Sequence, residues 1–324
     1  MLTSTHLAAP SDTITAELVA VLVAVTGGQA RFLSTHDGHA LPSGPLEVDH
    51  RSLQTGMRAW IEAQTHHPIG YIEQLYTFAD RDRAREDARR VISVSYLGLT
   101  REAQVPAPQQ AVGWRDWYHH FPWEDQRSPA AAAVLAEHIA PALIAWCAAG
   151  AGADASQRRL RVDTAFGLHG APWNEDFVLQ RYELLHEAGL VPEAQRGPAA
   201  SRGLPAAQRK AVAARTGAPM RLDYRRILAT GMARLRAKIK YRPVVFELMP
   251  EAFTLLQLQQ TIEALAGRAL HKQNFRRLVE QQALVEETGQ LTQGASGRPA
   301  QLFRFREDLL LERAISGSKL PLSR

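Results

Sequence analysis

The side chains best equipped for chemistry in this sequence lie near its C-terminal end. Within LHKQNFRRLVEQQ, Lys272, Gln273, Arg276 and Arg277 crowd into one short stretch. Arg and Gln can each form two parallel hydrogen bonds to a guanine or adenine edge, whereas Lys mainly finds phosphate. On a helix over 270–282, Phe275, Leu278 and Val279 fall on one side at i, i+3 and i+4. Gln273, Arg276, Arg277 and Glu280 then point away, with Lys272 on the flank. Arg298, close to Gly289, Gly294 and Gly297, adds a cation in the following loop. This pattern points to double-stranded DNA, and the alternative is a helix of the same kind that binds protein. RNA fits less well, because no aromatic pair is placed there for base stacking.

Other reactive residues are less organised. His66-His67 and His119-His120 invite a metal, but adjacent histidines usually point apart and no third ligand is suitably spaced. No metal is therefore expected. Trp114, Trp117, Tyr118, Phe121 and Trp123 could stack an adenine or form a packed core or dimer seam, and the core or seam is the commoner use. Glu124 and Asp125 offer a faint alternative as a relocated metal site. The single cysteine, Cys147, lies in the apolar run ALIAWCAAG; it excludes a disulfide framework and reads as a buried thiol.

Charge is divided unevenly. Residues 1–200 carry 16 Lys and Arg against 23 Asp and Glu, and residues 201–324 carry 22 against 10, which together give the formal +5. A basic C-terminal third joined to an acidic remainder suits a polyanion at that end, or merely a solvated charged surface. Residues 15–25 are apolar but too short to span a bilayer and are interrupted by Glu17, so a cytoplasmic protein is expected.

The elements that must position these residues read as follows. Ile14–Val25 and Ala30–Ser34 are strands around a Thr26-Gly27-Gly28-Gln29 turn, and Tyr71–Phe78 and Arg90–Thr100 are two more, joined by a charged loop over 80–89. Between them Leu53, Met57, Trp60 and Ile61 recur at helical spacing over 51–64. The stretch 106–108 reads as linker, 130–149 as an alanine-rich helix bent at Pro141, and 174–188 as a helix capped by Asn174 and stopped by Gly189. Residues 194–218 have no apolar period and read as a mobile connection, followed by a basic helix from Leu222 to Lys240. Three short helices then precede two strands, over 242–249, 255–266, 270–282, 284–287 and 300–306. Thr254 and Gln257 form a capping box, and Gly267 is a stop signal. That order is a winged helix-turn-helix.

Residues 44–65 carry the remnant of another chemistry. They resemble the Nudix hydrolase signature, G-x5-E-x7-R-E-U-x-E-E-x-G-U, whose glutamates hold divalent metals for pyrophosphate cleavage. Aligned from Gly44 without a gap, His50 stands at the first glutamate, Arg58 matches the arginine and Ala59 replaces the next glutamate. Trp60 takes the apolar position, Glu62 survives, Ala63 replaces its neighbour and Thr65 replaces the glycine. With three of four acidic positions lost, hydrolysis is expected to be absent or very slow.

The runs EQLYTFADRDR and RRVISVSYLGL resemble the Nudix-related transcriptional regulators of the NrtR-like family. So does KIKYRPVVFELMPEAFTLLQLQQTIEALAGRALHKQNFRRLVEQQALVEETG with its RPAQLFRFR strand. The long middle, with FPWEDQR and WNEDFVLQRYELLHEAGLV, looks like the longer NadQ type of NAD-biosynthesis regulator. The fold class is then α+β, a Nudix-like mixed-sheet α/β/α sandwich plus a C-terminal winged helix-turn-helix. The expected domains are a degenerate Nudix-like sensor (1–105), a helical middle completing or extending it (106–220), and a linker helix with the DNA-binding domain (221–324).

The resemblance implies a repressor of NAD synthesis or salvage genes, dimeric on a palindromic operator. It would require no cofactor and would be released by an effector such as ADP-ribose, NAD or ATP in the old Nudix cleft. Arg31, His50, Arg58, Glu62 and Arg89 are its candidate ligand contacts, with Arg90 a further phosphate candidate; Arg58 and Glu62 are equally readable as a structural i, i+4 pair. Lys272, Gln273, Arg276, Arg277 and Arg298 are the candidate DNA contacts. Two alternatives stand beside this reading. One is an ADP-ribose or NDP-X pyrophosphatase with carboxylates relocated to Glu47, Asp49 or Glu73, and the other is a protein-interaction adaptor.

Overall fold

The computed structural model describes residues 14–65, 71–79, 90–102, 112–196, 205–240, 244–292 and 299–306. Arg89, Arg298, His66, His67 and the stretches 80–89 and 106–108 lie outside them.

A sheet is built from β1 (Ile14–Thr26), β2 (Gln29–Ser34), β3 (Ser43–Pro45), β4 (Tyr71–Phe78), β5 (Arg90–Leu99) and β6 (Gly113–Asp116), in the order β4-β5-β1-β2-β6 with β3 also on β1. β1 feeds two cores at once. Val19, Val21 and Val23 enter the larger, and Leu18, Ala20 and Leu22 the smaller. A strand buried on both faces belongs at the centre, and β1 is there, parallel to β5 and antiparallel to β2 and β3. Gly27 and Gly28 both have positive φ, as a two-residue hairpin turn requires.

The helix α1 (Leu53–Thr65) covers the smaller core with Met57 and Ile61. The other face carries the remaining helices: α2 (Pro129–Val134), α3 (Ala140–Ala148), α4 (Ala153–Phe166), α5 (Val178–Glu187), α6 (Ala206–Ala213), α7 (Tyr224–Ile239), α8 (Leu255–Ala266) and α9 (Lys272–Gln281). The helix α7 crosses the sheet so closely that a Cβ on Gly231 would stand 2.9 Å from a Val21 methyl.

Several expectations for the middle region need correction. The alanine-rich helix is three pieces, α2, a π turn over Leu135–Ile139, and α3. Pro141 lacks an N–H and its ring crowds the carbonyl four residues back, and the π turn lies just before it. By length and composition Pro129–Ala148 could cross a bilayer, yet Leu143, Trp146 and Cys147 are packed in the larger core with Val162 and Phe166 of α4. Asn174 does not cap α5. Its Oδ1 accepts from Asp176 N in a preceding turn, and Glu175 and Asp176 instead meet Lys240. The connection expected over 194–218 contains α6, whose Val212 and Ala213 are buried. Trp117, Phe121 and Trp123 are wholly buried, the core reading of that aromatic cluster.

The C-terminal unit is a winged helix with α8 and α9 joined through Gly267, which is left-handed at φ 70°. The capping box of Thr254 and Gln257 is formed in both directions. The wing is β7 (Val285–Leu291) with β8 (Gln301–Phe305). Of the first helix, expected over 242–249, the described residues form a 3-10 turn at Val244–Leu248; its Phe246 packs on Phe305, with ring centroids 3.6 Å apart and the rings tilted by 34°.

Candidate functional site

Two surfaces gather the residues singled out in the sequence. On α9, Phe275 and Val279 are buried and hold the helix down, while Lys272, Gln273, Asn274, Arg276, Arg277 and Glu280 are exposed. Among the described residues these six side chains make no hydrogen bond or ion pair. Donors and charges left unused on one helix face are available to an external partner. The neighbouring wing is different, since Arg304 is held by Glu286 at 2.6 Å.

The second surface is the α1 side of the sheet. A Cβ on Gly44 would lie 2.2 Å from the Trp60 ring, and Trp60 Nε1 donates to Pro45 O at 2.9 Å. Gly56 is equally constrained, because a Cβ there would meet His50 Nδ1 at 2.5 Å. His50 and Trp60 therefore mark the flank of α1 that faces β3. At about 100° per residue Arg58 and Glu62 share the opposite flank. The structure thus groups Arg58 with Glu62 and places His50 apart from them.

Arg31 lies on the α1 side because it pairs with Ala24 of β1, and its Nη1 is 2.7 Å from Glu102. Trp114, opposite Leu33 on β6, packs half-buried against the smaller core. Tyr96 belongs to the same core, where burial pushes its phenol pKa up. This side offers two guanidiniums and an aromatic ring, groups that suit a phosphorylated, ring-bearing ligand.

Carboxylates do not converge here. Glu73 pairs with Leu97, which belongs to the larger core, and is bound on that opposite face by Lys238 and by Tyr71 Oη at 2.5 Å. Glu47 is exposed with His50 3.8 Å away, and Asp49 is also exposed. No group of three or more His, Cys, Asp or Glu side chains placed to hold a metal occurs among the described residues.

Comparison with known proteins agrees with this geometry. Residues 245–305 match the family model of the NrtR DNA-binding winged helix domain. Over 83 residues the chain is 42% identical to the ADPR responsive transcriptional repressor NtrR of Acinetobacter baylyi, a match covering 26% of this chain and 33% of that protein. The Shewanella oneidensis NrtR structure in complex with a 27mer DNA superposes with TM-score 0.51 at 19% identity, covering 90% of this chain and 94% of that one. The Shewanella NrtR structure described without DNA gives the same values. The chain therefore has an NrtR-like fold, and its winged helix matches the NrtR domain model.

In this NrtR-like fold a buried ionic hub links α5, α7 and the end of α8. Glu124, wholly buried, accepts from Arg181 Nε at 2.5 Å and Nη2 at 2.8 Å, from Arg236 Nη1 at 2.6 Å and from Trp123 Nε1 at 3.0 Å. Burial would push its carboxyl pKa up, but the Arg181 and Arg236 guanidiniums outweigh that and hold it below the usual range. A relocated metal site at Glu124 is thereby ruled out, since arginines occupy the carboxylate. Arg236 also donates to Leu265 O at 2.9 Å, and Tyr118 Oη donates to Ala264 O at 2.6 Å, so the end of α8 is tied to the same hub.

A second arginine anchors the start of α7 in this NrtR-like fold. Arg225 is wholly buried, bonds Glu193 at 3.0 Å and the carbonyls of His120 and Thr216, and lies over Phe121, Trp123 and Tyr182. His120, pressed into this region with Nδ1 at 2.9 Å from Ala218 O, has its pKa pushed down to about 3, chiefly by burial.

None of Arg181, Arg225 and Arg236 was expected to be buried, because the sequence shows only that they are charged. Glu17 was also missed. It bonds Ser93 at 2.5 Å inside β1, where burial raises its carboxyl pKa. The only sequence signal for it was a lone acid in a strand of apolar residues.

Proposed function

We propose that this protein is a transcriptional repressor in which α9 reads operator DNA and the α1 side of the sheet senses a nucleotide. The observation that carries the reading is the exposed, uncommitted set on α9: three cations, three amides and one carboxylate on the second helix of a helix-turn-helix. Lys272, Gln273, Arg276 and Arg277 make the DNA contacts, with Arg298 added from outside the described residues. The match to a repressor named as ADPR-responsive supports ADP-ribose as the effector, with NAD and ATP the next to test. Arg31, Arg58 and Glu62 contact its phosphates and ribose, Trp114 takes its adenine, and His50 and Arg89 complete the candidate set.

The chain works as a cytoplasmic homodimer on a palindromic operator, controls NAD synthesis or salvage genes, and does not hydrolyse its effector. Residues 1–105 and 106–220 form the sensor, and 221–324 the linker helix and reader. Fluorescence anisotropy with DNA from the gene's own and neighbouring promoters, with and without ADP-ribose, NAD and ATP, tests the whole reading. Tight, sequence-dependent binding that one nucleotide relieves is expected. Absence of specific binding, together with ADP-ribose hydrolysis in Mg²⁺, would replace it with a pyrophosphatase.

A further inference from the structure

We infer that Glu280 fixes one position of the DNA site as a cytosine. This rests on α9 being the DNA reader and specifies one of the bases that it reads. With Phe275 and Val279 pointing to the core, a rotation of about 100° per residue puts Arg277 directly opposite them, with Gln273 and Gln281 about 40° and Glu280 and Asn274 about 60° to either side. Gln273, Arg277 and Glu280, at i, i+4 and i+7, form one ridge of that outward face. They span about 10 Å of helix, which matches about three base-pair steps. Lys272 and Arg276 lie to one side of that ridge, where phosphates run.

Glu280 is the only acid among the exposed side chains of α9. It has no ion-pair partner among the described residues, although Arg276 and Arg277 are one turn away. A carboxylate brought up to DNA is repelled by the phosphates on both strands and loses its hydration. In the major groove one base edge returns that loss, the N4 amino group of cytosine, which donates to Glu or Asp. Adenine N6 also donates, but beside the N7 acceptor, which suits an amide such as Gln273. Every other base leaves the carboxylate facing acceptors or a methyl group. Glu280 therefore selects by exclusion as much as by attraction. It lowers affinity for DNA in general and restores it at one column.

That mechanism has a signature of two signs. Replacing the carboxylate by its neutral amide removes the repulsion and the selection together. Selection from a random DNA library, followed by anisotropy on the selected and on scrambled duplexes, should be run with the full chain, E280Q, E280A and R277A. The native chain is expected to select a C·G pair at a column about one base step from the one that R277A flattens. Both Glu280 variants should flatten that C·G column by about tenfold or more, bind scrambled DNA more tightly than the native chain, and keep the Arg277 column. An unchanged column and unchanged scrambled-DNA affinity would overturn the inference, leaving Glu280 as a solvated residue. Loss confined to the Arg277 column would also overturn it, making Glu280 a support for that arginine. If the native chain selects no sequence at all, the DNA-reader reading itself fails, a result distinct from the other two.

Discussion

Gly44 shows how a residue can outlast the chemistry of the motif it belongs to. In the aligned hydrolase signature it precedes a metal-binding helix, yet here the ring of Trp60 lies flat on its α-carbon. Ala at position 44 would place a methyl inside that ring. Overpacking of this kind costs about 1–3 kcal/mol, so Gly44→Ala should lower stability by that much in urea titration. Trp60→Leu in the same chain should restore part of the loss. No recovery in the double variant would show that the strain lies elsewhere. His120 gives a pH prediction. Its folded pKa of about 3 is far below the usual histidine value, so the unfolded chain binds the proton that the folded chain refuses. Stability is full above the unfolded pKa and falls as pH drops toward the folded one, by about 2 kcal/mol between pH 7 and pH 5. His120→Gln should flatten that part of the urea-midpoint profile, and a slope unchanged by the substitution would refute the assignment.

At the scale of elements, α7 is a strut fastened along its length. Arg225 binds Glu193, Arg226 binds Glu183, Arg236 binds Glu124, and Lys238 binds Glu73 of β4. Removing one partner from a buried pair leaves the other charge stranded, which costs about 3–5 kcal/mol. Glu124→Gln, which strands two guanidiniums, should lose at least that in denaturant titration and change Trp123 fluorescence. A loss below about 1 kcal/mol would mean that the hub relaxes around the change.

Legibility followed the periodicity. β4 and α8 fall where the sequence placed them, and β1, β2, β5, α1, α7, α9 and the wing lie within a few residues, because each carries a marked apolar pattern, continuous in β1 and periodic in helices such as α1 and α9. The middle resisted for physical reasons. Alanine gives little contrast between faces, the π turn breaks the period, and α6 is too short to show one. The candidate site divides in the same way. The outward face of α9 was visible from helical spacing, whereas placing His50 opposite Arg58 needed Gly56, and the role of Arg236 needed a partner 112 positions away.

For the whole molecule, the uneven charge of the two halves becomes a spatial statement: the acidic part holds the six-stranded sheet and the basic part ends in the winged helix. Affinity for any duplex should fall steeply with salt, by about a thousandfold or more between about 50 and 200 mM if six or more phosphates are neutralised. Arg276→Ala should weaken specific binding by about 1–3 kcal/mol if it reads a base. An equal loss on random DNA would make it a phosphate contact, and affinity indifferent to salt would remove the electrostatic basis of the DNA reading.

Gly267 carries one more consequence. A side-chain carbon there would stand 2.3 Å from the carbonyl of Glu124, so the turn between α8 and α9 is shaped against a residue outside the winged helix. The reading head is therefore not interchangeable hardware. Transplanted onto a foreign sensor, residues 244–306 would carry the fitted surface but not the Glu124 and Arg236 that it was fitted to. Within this lineage, drift at position 124, at 236 and at the α8 terminus should be correlated, and recombination between relatives should succeed at breakpoints that keep those three together.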